Sequence, residues 1–231
     1  SGAGLVDMSA EFGEWEAFLR SLARRLQSPL PGLNAHRRLV PPERRPDLGK
    51  AFPEKRKLAA ILALVYPKNE RIHTCLIRRP TYPGVHGGQI AFPGGRVERS
   101  DRDLLHTALR EAEEEVGLPQ ELPQDPFELT RLYIPPSGYE VVPYLAHHKL
   151  APDFIPQESE VAEIIELPLN DLNEPDLFGE ISVNSSRGKL NVPAYRWRDE
   201  IIWGATAMIL AEMADLIKDI HAIDRAFKPR P

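Results

Sequence analysis

One predicted helix, spanning about Arg102–Val116, lies in the middle of the chain with strand-like segments on both sides of it. The most apolar of these segments is LAAILALVY, residues 58–66, a continuous run that is suited to a buried strand. A second helix is predicted near the end of the chain, over about Ala205–Ile220. Strands on both sides of a central helix, with a second helix at the end, predict an α/β fold in the form of a mixed sandwich.

The remaining strand-like segments are short, rich in apolar residues and bounded by turn residues. They are RIHTCLI (71–77), QIAF (89–92), LTRLYI (129–134), VVPYLAHH (141–148) and VAEIIEL (161–167). A hairpin, formed by EISVN and NVPAYRW around the turn residues SSRG, is expected before the final helix.

The first 56 residues differ in character from the rest of the chain. Residues 10–27 predict an amphipathic helix that packs on the main core or on a second subunit. Its apolar stripe consists of Phe12, Trp15, Leu19, Leu22 and Leu26. The next segment, Ser28 to Pro53, is rich in proline and arginine, and we expect an extended linker that wraps the body. The chain is therefore divided into an N-terminal helix with its linker, residues 1–56, and a main domain, residues 57–231.

Composition argues against several classes of protein. A formal net charge of -5 disfavours a nucleic-acid surface, which depends on clustered Lys and Arg. No apolar run approaches the ~18 residues of a membrane span, and no signal peptide is recognisable. The single cysteine, Cys75, excludes an internal disulfide and a cysteine-rich zinc site, and its apolar surroundings predict a buried filler. A cytoplasmic protein fits these features best.

The central helix carries four glutamates near its C-terminal end, where the helix dipole disfavours them. Like charges three or four residues apart also cost about 0.2–0.5 kcal/mol per pair. At about 100° per residue, Glu111 and Glu115 lie about 40° apart beside the apolar arc, Glu114 lies about 60° beyond Glu111, and Glu113 points away. Arg110 alone cannot neutralise three converging carboxylates, whereas a divalent cation such as Mg²⁺ can. The alternative is a solvated acidic face.

Two adjacent glycines, Gly94 and Gly95, precede this helix and would let backbone groups approach an ion closely, although a glycine pair can also be a simple turn. Loop and helix together read Gly95-x5-Asp101-x8-Arg110-Glu111-Ala112-x-Glu114-Glu115-x-Gly117-Leu118. This pattern closely resembles the signature of the Nudix hydrolases, which cleave a nucleoside diphosphate linked to another group.

The resemblance implies a Nudix-type α/β/α sandwich with a mixed central sheet, here with an N-terminal helical extension. It implies that Glu111, Glu114 and Glu115 bind Mg²⁺ or Mn²⁺, together with the carbonyl of Gly95, and that Arg110 orients the glutamates. The usual signature has a glutamate followed by seven residues before the arginine. Here Asp101 is followed by eight residues, so the resemblance assigns it no role.

The preceding segment, LIRRPTYPGVHGGQIAFPGG (76–95), resembles the extended motif of the coenzyme A pyrophosphatases within this group. Arginine suits phosphate because its planar fork can hold two oxygens at once. The resemblance implies substrate contacts from Arg78, Arg79, His86, Gln89 and Gly94. The alternatives are a solvated strand end for the arginine pair and a structural histidine for His86.

A later segment, ESEVAEIIELPL (158–169), resembles the Nudix strand that follows a loop. Glu158 and Glu160 are candidates for a late metal ligand or general base, and we favour Glu160, with Glu114 as the other candidate base. The implied products are adenosine 3′,5′-bisphosphate and 4′-phosphopantetheine or its acyl form.

The sequence leaves three alternatives to this function. The first is a pyrophosphatase acting on ADP-ribose-like or other nucleoside diphosphate derivatives. The second is a non-catalytic ligand sensor derived from a Nudix domain, which the three retained acids disfavour. An RNA-processing role is disfavoured because no basic aromatic surface is apparent. The expected partner is a small molecule, and the N-terminal helix makes a homodimer plausible.

Overall fold

The computed structural model describes residues 8–81, 88–185 and 188–227. It contains four α-helices within these ranges, numbered in chain order: α1 Met8–Arg25, α2 Gly32–Arg37, α3 Leu104–Val116 and α4 Gly204–Phe227. The strands in the same ranges are β1 Lys57–Lys68, β2 Arg71–Arg78, β3 Ile90–Ala91, β4 Gly94–Arg96, β5 Gln124–Glu128, β6 Leu132–Ile134, β7 Tyr139–His147, β8 Glu163–Pro168, β9 Phe178–Ser185, β10 Gly188–Trp197 and β11 Glu200–Trp203.

The main sheet is mixed, as predicted. Its strands follow the order β3-β2-β1-β7-β5, with β4 also paired to β1, β6 to β7 and β8 to β2. The long central pair β1 and β7 is parallel, and the other pairs are antiparallel. The predicted hairpin near the C-terminus is present as β9 and β10, and β11 extends it into a separate three-stranded antiparallel sheet.

Helices cover both faces of the main sheet, so the predicted α/β/α sandwich is confirmed. On one face Ala60, Leu62 and Leu64 of β1 share a core with Ala108 and Ala112 of α3. On the other face the alternate β1 residues, such as Ala63 and Val65, share a core with α4 and α1. A strand that is buried on both faces needs apolar residues at every position, which explains the continuous run in β1.

Helix α1 packs on α4 of the same chain, which is the first of the two roles expected for it. Trp15, Phe18 and Leu22 are buried in the core, and Leu19 and Leu26 pack at its margin. Arg25 forms an ion pair with Asp219 of α4 at 3.0 Å. The side chain of Phe12, the remaining member of the predicted stripe, lies outside the described side chains.

The prediction of an extended linker from Ser28 to Pro53 was wrong. This segment contains α2 and a 3₁₀ turn over Pro42–Asp47. The buried carboxylate of Glu212 in α4 accepts hydrogen bonds from the backbone N–H of Gly32, at 2.6 Å, and from the N–H and hydroxyl of Thr130. Elements this short show no helical periodicity, and prolines at or near their first turns are compatible with them.

The division of the chain at residues 56 and 57 and the suggested homodimer stay predictions. Among the described residues, no helix is both long and apolar enough to cross a membrane.

Candidate active site

Helix α3 places its glutamates at the edge of the buried core. The helix begins at the cap Asp103, whose carboxylate accepts a hydrogen bond from His106 N at 2.7 Å, and ends at Gly117 in the left-handed conformation. Because Ala108, Ala112 and Val116 face the sheet, the neighbouring position Glu115 is also buried. Glu111 is half-buried and Glu113 and Glu114 are exposed. The exposure of Glu113 and the position of Glu111 and Glu115 beside the apolar face agree with the helical angles, whereas Glu114, expected at the edge of the buried face, is exposed.

The glycine pair lies in β4, directly against the glutamates. Gly94 and Gly95 pair with Ile61 and Ala60 of β1, and the Gly94 N–H donates a hydrogen bond to Glu115 Oε1 at 2.8 Å. Neither glycine has a positive φ, so the requirement for glycine here is space. A Cβ on Gly95 would stand 2.5 Å from Glu111 Oε1.

Arg110 joins the glutamates to the loop before the helix. Its Nη1 donates to Glu111 Oε1 and to Glu114 Oε2, both at 3.2 Å. Its Nε and Nη2 donate to the two carboxylate oxygens of Asp101 at 2.7 and 3.1 Å. This fork-to-fork geometry is the strong form of an arginine–carboxylate pair. Arg110 is therefore fixed on one side and holds Glu111 and Glu114 on the other.

Asp101, to which the sequence analysis gives no role, lies at the candidate site in direct contact with Arg110. Its side chain has no solvent exposure and also accepts hydrogen bonds from the Thr107 hydroxyl at 2.8 Å and from Glu98 N at 2.9 Å. The hydrogen bonds from Arg110, the largest influence, hold the pKa of Asp101 well below its usual range. Its position between the glycine pair and Arg110 could have indicated a role at the site. The spacing of eight residues before Arg110, in place of the usual seven, argued against matching Asp101 to the glutamate of the signature.

The segment before β8 closes over the C-terminal end of α3. Ile155 N and Gln157 N donate to the carbonyls of Val116 and Glu115, each at 2.9 Å. These bonds satisfy backbone acceptors that a helix end leaves free. Glu160 follows in an exposed turn, in which its N–H donates to the carbonyl of Gln157 at 2.9 Å. The pKa values of Glu111 and Glu115 are raised mainly by burial, and the charge of Glu160 adds a small further rise. Glu111, Glu114, Glu115 and Glu160 form what we call the acidic cluster.

Burial and mutual repulsion set the electrostatics of the acidic cluster. Burial, partly opposed by the Gly94 N–H, is the main reason that the pKa of Glu115 rises to about 7. The negative charge of Glu111 adds to this rise, and the positive charge of Arg79 opposes it. Burial also raises the pKa of Glu111, against the effect of Arg110. The site thus contains more negative charge than the protein neutralises.

The acidic cluster fits a divalent cation in its donor chemistry. Carboxylate oxygens are the ligands that Mg²⁺ and Mn²⁺ prefer, and a bound cation would offset the unfavourable burial of ionised Glu115. Among the described residues, no three His, Cys, Asp or Glu side chains already surround a common point. Instead Arg110 holds Glu111 and Glu114 while the Gly94 N–H holds Glu115. The metal-binding roles of these glutamates and of Gly95 stay predictions.

The raised pKa of Glu115 predicts a pH-dependent stability difference. The carboxyl titrates near pH 7 in the native protein and near its ordinary value of 4.5 when unfolded, so the free energy of unfolding falls as pH rises between these values. Glu115→Gln should remove this fall in the free energy of unfolding, because the amide side chain does not ionise. Without divalent metal, we expect the variant to gain up to about 3 kcal/mol over the wild type between pH 4.5 and pH 8.

Urea unfolding of both proteins with a chelator, at pH 4.5 and pH 8, measures this gain. An equal stability difference at the two pH values would contradict the burial of an ionisable Glu115. Added Mg²⁺ at pH 8 should restore stability to the wild type and have little effect on the variant.

The residues predicted to bind substrate are only partly brought together. The positive charge of Arg79 is close enough to act on Glu115, and Arg79 N donates to the carbonyl of Gln89 at 3.0 Å. Arg78 instead forms ion pairs with Glu163, at 3.1 Å, and with Glu200 of β11. His86 lies outside the described residues. The assignment of these side chains to the substrate stays a prediction.

Comparison with known proteins identifies the family of this chain. A sequence model described as the NUDIX domain matches residues 55–184. A relative from Pectobacterium atrosepticum, named Uncharacterized Nudix hydrolase NudL, is 30% identical over 184 residues, covering 78% of this chain and 90% of its own. A protein of the same name from Yersinia pestis is 34% identical over 145 residues, covering 62% of this chain and 71% of its own. The crystal structure of a MutT/nudix family protein from Enterococcus faecalis is 18% identical with a TM-score of 0.49, covering 80% of this chain and 73% of that one.

Proposed function

The chain belongs to the Nudix hydrolases and is a pyrophosphohydrolase, and from this premise we propose that its substrate is coenzyme A or an acyl-coenzyme A. Water would add across the P–O–P bridge, giving adenosine 3′,5′-bisphosphate and 4′-phosphopantetheine or its acyl form. The observation that carries the hydrolytic part of the proposal is the acidic cluster, held by Arg110 and by the glycine pair of β4.

Each residue of the site has a proposed role in this reaction. Glu111, Glu114 and Glu115 would bind Mg²⁺ or Mn²⁺ with the carbonyl of Gly95. When bound, such an ion neutralises charge on the phosphates and makes a water molecule more acidic. Arg110 keeps Glu111 and Glu114 in place through Nη1.

Proton removal is assigned to the carboxylate of Glu160. It is exposed at the rim of the acidic cluster, where its charge acts on Glu111 and Glu115. Glu160 could therefore receive the proton of the attacking water, and Glu114 is the alternative base. Arg79, whose positive charge acts on Glu115, would contact the substrate diphosphate.

Two features support coenzyme A as the substrate. The first is the resemblance of residues 76–95 to the extended motif of the coenzyme A pyrophosphatases. The second is a group of exposed arginines, with Arg96 at the end of β4 and Arg99 and Arg102 between β4 and α3. Their positive charge, next to the acidic cluster along the chain, would attract a substrate that carries a ribose 3′-phosphate in addition to its diphosphate.

The choice of substrate predicts a clear preference in an activity assay. With Mg²⁺ present, we expect kcat/KM for coenzyme A to exceed that for 3′-dephospho-coenzyme A by about tenfold or more, the effect of one lost charge-assisted contact. Excess chelator should abolish both activities. Turnover of ADP-ribose in preference to coenzyme A would contradict the substrate assignment, and full activity in chelator would contradict the metal requirement.

A further inference from the structure

A cavity lies on the α3 side of the main sheet, beside the strand β8. It is an open cleft of about 560 Å³ between residues 151–156, β8 and the end of β1. Its apolar lining includes Pro152, Phe154 and Ile164. Its polar lining includes Lys68 and Glu166, which form an ion pair with each other, and Asp153.

One wall of this cleft is formed by a segment that bonds to the C-terminal end of α3, the helix that carries Glu115. Phe154 and Pro156 line the cleft, while Ile155 and Gln157, which alternate with them, donate hydrogen bonds to the last carbonyls of α3. The Phe154 ring packs on Tyr66, with ring centroids 5.7 Å apart, and the Tyr66 hydroxyl donates to Glu166 at 2.8 Å. One continuous segment therefore joins the cleft to the C-terminal end of α3.

Cys75 links the two places across the sheet. It pairs directly with Glu166 in the register of β2 and β8 and is buried in the same core as α3. Its thiol pKa is raised by burial and further by the charges of both Glu166 and Glu115. Cys75 therefore lies beside Glu166 of the cleft and in the same core as Ala112 and Val116 of α3.

We propose that this cleft receives the pantetheine arm of the substrate, together with any acyl chain. The inference rests on the proposed function and adds the direction in which the substrate lies. The volume is within the range of about 300–1,000 Å³ that small-molecule sites occupy.

The charge of the lining disfavours the phosphate-bearing end of the substrate. Lys68 is neutralised by Glu166, so Asp153 leaves the cleft with a negative balance that repels the ribose 3′-phosphate. The pantetheine arm is uncharged. Its dimethyl group and an acyl chain match Pro152, Phe154 and Ile164, and its two amides can bond to the polar groups of Lys68 and Glu166. The nucleotide end then extends away from the cleft.

Filling the cleft tests the inference. Ala151 lines the cleft and is exposed, so Ala151→Trp adds bulk there without entering the core. We expect kcat/KM for coenzyme A to fall about tenfold or more, because a blocked apolar pocket no longer contributes its binding energy to the transition state. The β-methyl ester of adenosine 3′-phosphate 5′-diphosphate keeps the bridge and the nucleotide but lacks the arm. Its kcat/KM should change less than about twofold.

Leu150→Trp is the matched control, because Leu150 is the exposed neighbour of Ala151 and does not line the cleft. This variant should leave kcat/KM unchanged for both substrates. Should Ala151→Trp fail to fold, Asp153→Trp takes its place, since Asp153 is also exposed and lines the cleft.

The outcomes separate this inference from the proposed function. Suppose that the wild type hydrolyses coenzyme A. If Ala151→Trp then lowers kcat/KM equally for coenzyme A and the methyl ester, or leaves both values unchanged, the cleft assignment alone is overturned. If the wild type hydrolyses the methyl ester and leaves coenzyme A intact, the proposed substrate is overturned as well.

Discussion

Replacing Glu115 by Gln should lower kcat for coenzyme A by about 10³-fold or more, because a metal-assisted reaction loses several kcal/mol of stabilisation with an anionic ligand. The amide oxygen of Gln can still accept the hydrogen bond from Gly94 N, so the local structure should be preserved. Steady-state kinetics with saturating Mg²⁺, together with circular dichroism of the variant, measures the effect.

Glu113→Gln is the matched control on the same helix. Glu113 is exposed and accepts a hydrogen bond from Gln120 at 3.2 Å, away from the acidic cluster. The same change of chemistry there should alter kcat by less than about twofold. If Glu115→Gln retains a kcat within tenfold of the wild type, the carboxylate of Glu115 does not carry the reaction.

Gly95→Ala should reduce activity with little effect on stability. The added Cβ would stand 2.5 Å from Glu111 Oε1 and 2.6 Å from its Cδ, so the flexible end of Glu111 must move. Displacing a catalytic group by about 1 Å can cost about 10²-fold in rate. We therefore expect a loss of about 10²-fold in kcat with an almost unchanged melting temperature.

Gly94→Ala provides the contrast at the neighbouring position. Its Cβ would meet backbone atoms, Ala60 O at 2.5 Å and Ile61 Cα at 2.7 Å, which cannot move without disturbing β1. Such overpacking costs about 1–3 kcal/mol or more, so this variant should melt at a clearly lower temperature. If Gly95→Ala is destabilised as strongly and Gly94→Ala is not, the assigned packing of the glycine pair is wrong.

Much of the candidate site could be predicted because its parts are close together in sequence. One helix carries Arg110, Glu111, Glu114 and Glu115, and the 3.6-residue period fixes which of them approach the core. The glycine pair precedes that helix by a short loop. Glu160 is different, because it is far from α3 in the sequence. The segment that precedes it is held at the end of α3 by hydrogen bonds from Ile155 and Gln157, and no local sequence pattern predicts such a long-range contact.

The fold was predicted best where a segment is long or strongly apolar. The run in β1 and the final helix were recognised, whereas β5 was missed because QDPFE is mostly exposed, polar and interrupted by proline. The segment from Ser28 to Pro53 was misjudged for a related reason. Its short helical turns are stabilised by tertiary contacts, such as the bonds to Glu212 and the ion pair of Arg38 with Asp215.

Asp101 reaches Arg110 through a turn that its spacing in the sequence does not indicate. The chain turns between Glu98 and Asp101, where Asp101 N donates to Glu98 O at 3.1 Å, and this turn directs the carboxylate at Arg110. The number of residues between two positions does not reveal such a turn. One additional residue changes both the length of a loop and the direction in which the chain leaves it.

Anomalous diffraction from crystals soaked with Mn²⁺ shows directly whether the glutamates of α3 bind one divalent cation. We expect a peak at about 2–2.5 Å from carboxylate oxygens of both Glu111 and Glu115. Crystals that remain active but contain manganese only elsewhere, with no ion in contact with either glutamate, would contradict it.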